Sequence, residues 1–231
     1  MRRLVMGMLV LACMSLVTAA SAEIATIDVW GSAPTPPLQP NVPWIDDLKI
    51  DKFNPAWGEL LSVHVWISGQ VYGEMGFEHT NPNGPTSFFD IFLGAEVQVT
   101  APPGAGPNFD VVLGRHEHED DIAAYDGIMN FDGPSGTSWL VSESNSTGEI
   151  VVDPSNFAPY IGPGQLFLPS QSIGRSTFST SAVNYEQLMK CYAKAKVHIA
   201  YDYRVIPEMN TLALASLGGF VWLPLFRRFR K

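Results

Sequence analysis

The sequence predicts an all-β fold: one antiparallel β-sandwich or jelly-roll-like domain, flanked by an N-terminal signal peptide and a C-terminal transmembrane sorting helix. Three observations carry that prediction. Apolar and polar residues alternate in two long stretches, and proline or glycine punctuates nearly every gap between shorter apolar runs. Two apolar segments of a different texture sit at the extreme ends of the chain.

Residues 1–22 read as an export signal. Arg2 and Arg3 precede an apolar stretch over 4–17, and small residues end in Ala20-Ser21-Ala22, an A-x-A cleavage site that leaves Glu23 first. Leu11-Ala12-Cys13 offers a lipobox-like alternative, but apolar chain continues past it into the conventional site. Residues 23–43 form an extended, proline-rich lead-in, and 26–43 in particular read as linker rather than core. The domain proper is expected over 44–206.

Within it Leu61, Val63, Val65 and Ile67 alternate with Ser62, His64, Trp66 and Ser68, the period of a strand buried on one face. Ala195, Val197, Ile199, Tyr201, Tyr203 and Val205 repeat the pattern near the end, against Lys194, Lys196, His198, Asp202 and Arg204. Shorter strands are expected over 88–93, 96–100, 109–113, 149–152 and 165–168. Turns such as Asn81-Pro82-Asn83-Gly84-Pro85 and Ala101-Pro102-Pro103-Gly104 separate them. One exception is 184–192, where Asn184 and Gln187 have the spacing of a capping box for a short helix. No repeat or second composition regime marks a further domain.

The tail, 207–231, has three parts. Pro207-Glu208-Met209 is followed by an uncharged run over 211–226 and then by Arg227, Arg228, Arg230 and Lys231. Sixteen residues at about 1.5 Å each give roughly 24 Å of helix, which spans a ~30 Å hydrocarbon core only with local thinning or snorkelling ends. The terminal cations favour the cytoplasmic side, placing the bulk of the chain across the membrane. This arrangement resembles the PEP-CTERM tails that exosortases process in Gram-negative bacteria. The resemblance implies an exosortase-like processing partner, an inner-membrane intermediate, cleavage near the Pro-Glu pair, and delivery to the cell surface or medium. Met209 stands where the family tail usually has a second proline.

With both ends removed, residues 23–206 carry 8 Lys and Arg against 22 Asp and Glu, a net charge of −14. A chain that acidic does not bind nucleic acid through its general field. It suits a solvated surface or divalent cations. Only Cys191 survives signal removal, so no intramolecular disulfide is available and the core must hold the fold.

The body has its own resemblance. Phe53-Asn54-Pro55-Ala56-Trp57-Gly58-Glu59-Leu60-Leu61-Ser62-Val63 is similar to the opening of the choice-of-anchor E domain, with Asn54 and Trp57 in place of its usual Asp and Leu. Tyr160-Ile161-Gly162-Pro163-Gly164 resembles its Y-x-G-x-G segment, and 197–203 resembles its last strand. The likeness covers the ends of the domain and little of its middle. It implies a secreted β-domain delivered by interchangeable anchors, and it implies no catalytic residues.

Candidate chemistry lies in the middle. His116-Glu117-His118-Glu119-Asp120-Asp121 reads either as a solvated acidic loop or as a zinc or other divalent-metal site. Histidines at i and i+2 of an extended segment share a side, and with a carboxylate such as Asp120 or Asp121 they would make a three-ligand open site. The run also has a thin likeness to the H-x-H-x-D-H loop of metallo-β-lactamase-fold hydrolases, without that fold's helical layers. An EF-hand around Asn130, Asp132 and Gly133 is excluded, because Ile128 and Trp139 occupy its first and last ligand positions. A looser calcium site drawing on Asp120, Asp121, Asp126 or Asp132 would rigidify a long loop. Neither a G-x-S-x-G elbow nor a phosphate loop is present. Trp57, Trp66 and Trp139 are candidates for a sugar-stacking platform, against burial in the core.

Three functions are therefore expected in order. The first is a non-enzymatic surface or extracellular-matrix protein of biofilm or floc. The second is a carbohydrate-binding module for exopolysaccharide, and the third a metal-dependent hydrolase using His116, His118 and Asp120.

Overall fold

The structure, a computed structural model, describes residues 23–33 and 42–206. The predicted signal peptide and the sorting motif and tail, with Pro207, Glu208, Met209, Arg227, Arg228, Arg230 and Lys231, lie outside the described residues. Among those described, no helix is long and apolar enough to cross a membrane.

The described chain is mostly strand. In order these are β1 (Ile24–Ala33), β2 (Trp44–Asp51), β3 (Gly58–His79), β4 (Ser87–Val99), β5 (Phe109–Ile122), β6 (Gly136–Ser146), β7 (Ile150–Val151), β8 (Gln165–Gly174), β9 (Thr177–Thr180) and β10 (Tyr185–Val205). Two single 3-10 turns, Pro154–Asn156 and Ala158–Tyr160, separate β7 from β8. The strands make two curled antiparallel sheets of five. Sheet I runs β1-β10-β3-β6 with β7 also on β3, and sheet II runs β2-β8-β4-β5 with β9 also on β4.

Alternation decides which face is inside. Val63, Val65 and Ile67 of β3 are fully buried and stand opposite Tyr201, Ile199 and Val197 of β10. Sheet II supplies Leu48 and Ile50 from β2, Val97 and Val99 from β4, and Leu168 from β8 to the same interior. Each such side chain contributes about 1.5–3 kcal/mol on burial, which is what holds a domain with no disulfide. A second cluster of Met75, Phe77, Phe89, Ile91, Leu93, Ile122 and Val141 fills the far end.

The 22 residues of β3 serve both clusters, and Gly73 marks the crossing. Its partner in the ladder is Cys191, which packs against both. A Cβ at position 73 would lie 1.9 Å from the Lys190 carbonyl oxygen, so only glycine lets the two long strands close on each other there.

Four expectations change. Residues 184–192 are not helix: 185–192 belong to β10 and pair one by one with His79 back to Tyr72 of β3. A capping box contributes about 1 kcal/mol locally, less than a ladder of that length with Leu188 and Met189 half-buried beside it. The start of the lead-in is not linker: Thr26 pairs with Asp202, Gly31 with Val197, and Ala33 is buried. The 116–121 run is not a loop either, since β5 continues through it to Ile122. The separate strands expected over 88–93 and 96–100 are one strand, β4, passing through Gly94.

Candidate binding face

The outer face of sheet I is set by the even-numbered residues that alternation turns away from the core. Trp66 of β3 faces His198 of β10, Ser68 faces Lys196, Gln70 faces Lys194, Tyr72 faces Tyr192, and Glu74 faces Lys190. On the other side of β3, β6 adds Ser146, Ser144, Ser142 and Leu140 in the same rungs. Two shallow depressions lie along these rungs. One, of about 330 Å³, is lined by Ser68, Gly69, Gln70, 144–146, Lys194 and Lys196. The next, of about 500 Å³, is lined by Tyr72, Glu74, Leu140, Ser142, Lys190 and Tyr192 among others.

Aromatic pairs bracket the first depression. Trp66 stacks on His198 with ring centres 4.6 Å apart and planes at 17°. Tyr72 and Tyr192 stack at 5.4 Å and 24°. The Lys194 ammonium sits 5.6 Å from the centre of the Tyr72 ring, a cation–π distance. Burial, then the neighbouring Tyr192, raises the Tyr72 phenol above its ordinary pKa. Lys190 donates to Glu74 at 3.1 Å.

Beyond Trp66 the polar groups satisfy one another. Asp202 accepts from Thr26 Oγ1 at 2.6 Å and from Ser62 Oγ at 2.7 Å, and His64 Nε2 lies 3.1 Å away. Those hydrogen bonds, the one from Thr26 foremost, hold the Asp202 carboxyl below the usual carboxylate range. His64 Nδ1 is 2.6 Å from Glu149 Oε1, and its Nε2 is 3.0 Å from Ser62 Oγ. Ser62, His64 and Glu149 thus have the spacing of a serine–histidine–acid relay. The Ser62 hydroxyl, however, donates to Asp202 rather than to the imidazole, so the group acts as a clasp joining β1, β3, β10 and the turn before β7. Sequence reading missed it because His64 and its two acids lie 85 and 138 positions apart.

The predicted metal residues lie on the other sheet. His116 and His118 share the outer face of β5, both about half exposed, with Asp90 of β4 between them. Asp90 is 3.1 Å from His116 Nε2 and 3.6 Å from His118 Nδ1, and Asp120 is 3.4 Å from His118 Nε2. Both nitrogens of His118 therefore face carboxylates. Asp121 takes a left-handed backbone (φ 61°) next to Ile122 at the strand's end. Among the described residues no group of three or more His, Cys, Asp or Glu side chains is arranged to hold a metal ion.

The loop that offers a looser calcium site carries its own hydrogen bonds. Asp126 and Asp132 accept from the nearby backbone N–H groups of Ile128 and Gly133, each at 2.8 Å. Fully buried Glu78 reaches across to accept from Phe131 N and Ser135 Oγ, both at 2.7 Å.

The three tryptophans do not form one platform. Trp57 is exposed at a turn, edge-on to Phe53 at 5.7 Å. Trp139 packs into the second cluster, 5.4 Å from Phe89, because its position on β6 faces inward. It pairs with Met75, nine positions along β3 from Trp66, or about 30 Å at the rise of a strand. Of the three, Trp66 alone lies on the outer face, where its ring stacks with His198 and, at 6.2 Å and 20°, with His64; sequence reading missed His198. Cys191 is half-buried, and that burial pushes its thiol pKa up.

No protein-family model matches the chain, and no curated protein matches it. Among solved structures it is similar at a low level to two described as infectious bursal disease virus, of the Gx and Gt strains. Identities are 12% and 14%, with 81% and 82% of this chain covered and a TM-score of 0.14 in each case. The chain spans about two-fifths of the length of those proteins, 39% and 38%. Likeness at that TM-score carries no argument about fold or function.

Proposed function

We propose that this chain is an exported, non-enzymatic surface or matrix protein whose β-domain, a sandwich of jelly-roll-like character, binds matrix polysaccharide through the outer face of sheet I. The observation that carries the reading is the polar, aromatic-bracketed trough between the Trp66–His198 and Tyr72–Tyr192 pairs. Saccharides suit such a surface because ring faces stack on aromatic planes while hydroxyls meet Ser, Gln and Lys at the floor. The strand ladders fix these side chains in place, so little ordering is needed on binding. Export, anchoring by the tail and its removal by an exosortase-like enzyme are the part of the reading supported by the PEP-CTERM and choice-of-anchor E resemblances.

The experiment is titration of the protein, purified from its host, with exopolysaccharide from the same culture while following tryptophan fluorescence. Trp66 is expected to respond, and a Trp66→Phe variant to lose most of the change. No response with the native polymer would remove the polysaccharide reading. Intact mass of membrane and extracellular fractions tests the sorting part, with a species from Glu23 to near Pro207 expected outside the inner membrane.

A further inference from the structure

We infer that the trough takes an acidic polysaccharide, one bearing carboxylate or sulfate groups, with Lys194 and Lys196 binding the anions. The inference rests on the polysaccharide reading above and adds the charge of the ligand. Its basis is a local reversal of sign. Residues 23–206 carry 22 acids against 8 bases, yet no carboxylate lines the depression between Ser68 and Lys196. Three of those 8 bases, Lys190, Lys194 and Lys196, stand on one face of β10.

The three are not equivalent. Lys190 is neutralised by Glu74. Lys194 rests on the Tyr72 ring, and neither it nor Lys196 makes an ion pair among the described residues. The positive charge is therefore concentrated at the depression, with Ser68, Gln70, Ser144 and Ser146 as hydroxyl and amide partners around it. Acidic side chains bound it on both sides: Glu74 beyond the tyrosines, and Asp28, Glu149 and Asp202 around His198 and His64. A ligand with anionic groups spaced along an otherwise neutral chain matches this pattern.

A nucleic acid matches it less well. A duplex presents one charge per roughly 1.7 Å and is held by many cations at once, whereas two lysines here act against the field of a strongly acidic chain. Single strands stack on aromatic side chains too, so they belong in the test.

The test compares binding of the full chain to alginate, dextran and single-stranded DNA by affinity electrophoresis at fixed ionic strength. Alginate is expected to bind most tightly and to weaken as NaCl rises. Lys194→Gln with Lys196→Gln is expected to weaken it about five- to tenfold. Lys49→Gln with Lys52→Gln, which changes net charge equally, should leave it unchanged, and Lys194→Arg with Lys196→Arg should retain it. Equal binding of dextran and alginate, with the glutamine pair inert and Tyr192→Ala damaging, would overturn the acidic ligand and leave the polysaccharide reading intact. Preference for DNA over alginate would overturn the inference, and binding to neither polysaccharide nor the native polymer would overturn both readings.

Discussion

Gly73→Ala tests the packing that shapes the candidate binding face. The added methyl group would meet the Lys190 carbonyl oxygen at 1.9 Å and Leu93 Cδ2 at 3.1 Å, and real Cβ atoms essentially never approach closer than 3.0 Å. Relief needs a displacement of about 1 Å between strands normally ~4.8 Å apart. A ladder hydrogen bond near 2.9 Å does not survive that stretch. Losing one or two such bonds costs about 0.5–1.5 kcal/mol each, and forced repacking adds about 1–3 kcal/mol, for a total of about 1.5–6 kcal/mol. In a domain of this size that lowers Tm by roughly 3–24 °C. The assay is thermal and urea unfolding beside Gly148→Ala, where φ is +73° and nothing lies within 4 Å of the new Cβ. The control should cost only the left-handed backbone term, about 1–2 kcal/mol. If Gly73→Ala were no worse than this control, the close approach of β10 to β3 at the crossing of the two cores would be wrong.

Phe77→Ala should cost about 3–5 kcal/mol in urea unfolding, because the ring is fully buried against Phe89, Phe178 and Tyr185; a loss below 1 kcal/mol would mean the second cluster is loosely packed. Tyr160→Phe should cost about 1 kcal/mol by removing the 2.8 Å hydrogen bond to the Pro103 carbonyl, measured the same way. For Asp202→Asn the sign follows from a folded pKa held below the unfolded one. Its contribution is present above about pH 4 and is lost as pH falls through the folded value. The variant should therefore be less stable than wild type at pH 7, by about 1 kcal/mol for a side chain 29% exposed. The gap should close on acidification, and a gap that widened instead would contradict the assignment.

What the sequence made legible follows from the range of the interactions involved. The alternation at 61–68 and 195–205 gave strand, face and core together, since a one-residue slip would turn Val65 outward and His64 inward. The strand over 185–192 was hidden because its pairing partner lies more than 100 residues earlier in β3, while the helix-like cap at Asn184 is local. β1 was hidden for the same reason: its ladder to β10 joins the two ends of the domain. At the candidate site, Trp66 and its outward direction were readable from period two. The company it keeps was not, because His198, Lys196 and Lys194 come from the far end of the chain and meet it only through register.

The two outer faces differ in how far their polar groups are already partnered within the protein. On sheet II the polar groups are largely consumed within the protein: Glu96 by Arg175 and Gln98, Gln98 by Gln171, and Asp90 by His116 and His118. The Arg175 guanidinium is the main cause of the depressed pKa of Glu96, as expected of a paired carboxylate. A ligand binding there would have to displace those partners before gaining its own. On sheet I the corresponding rungs present serines, a glutamine and two lysines that make no ion pair among the described residues, with stacked rings at each end. Polar groups that a fold holds rigid but leaves solvated lose only water on binding, so their hydrogen bonds to a ligand come at the smallest opposing cost.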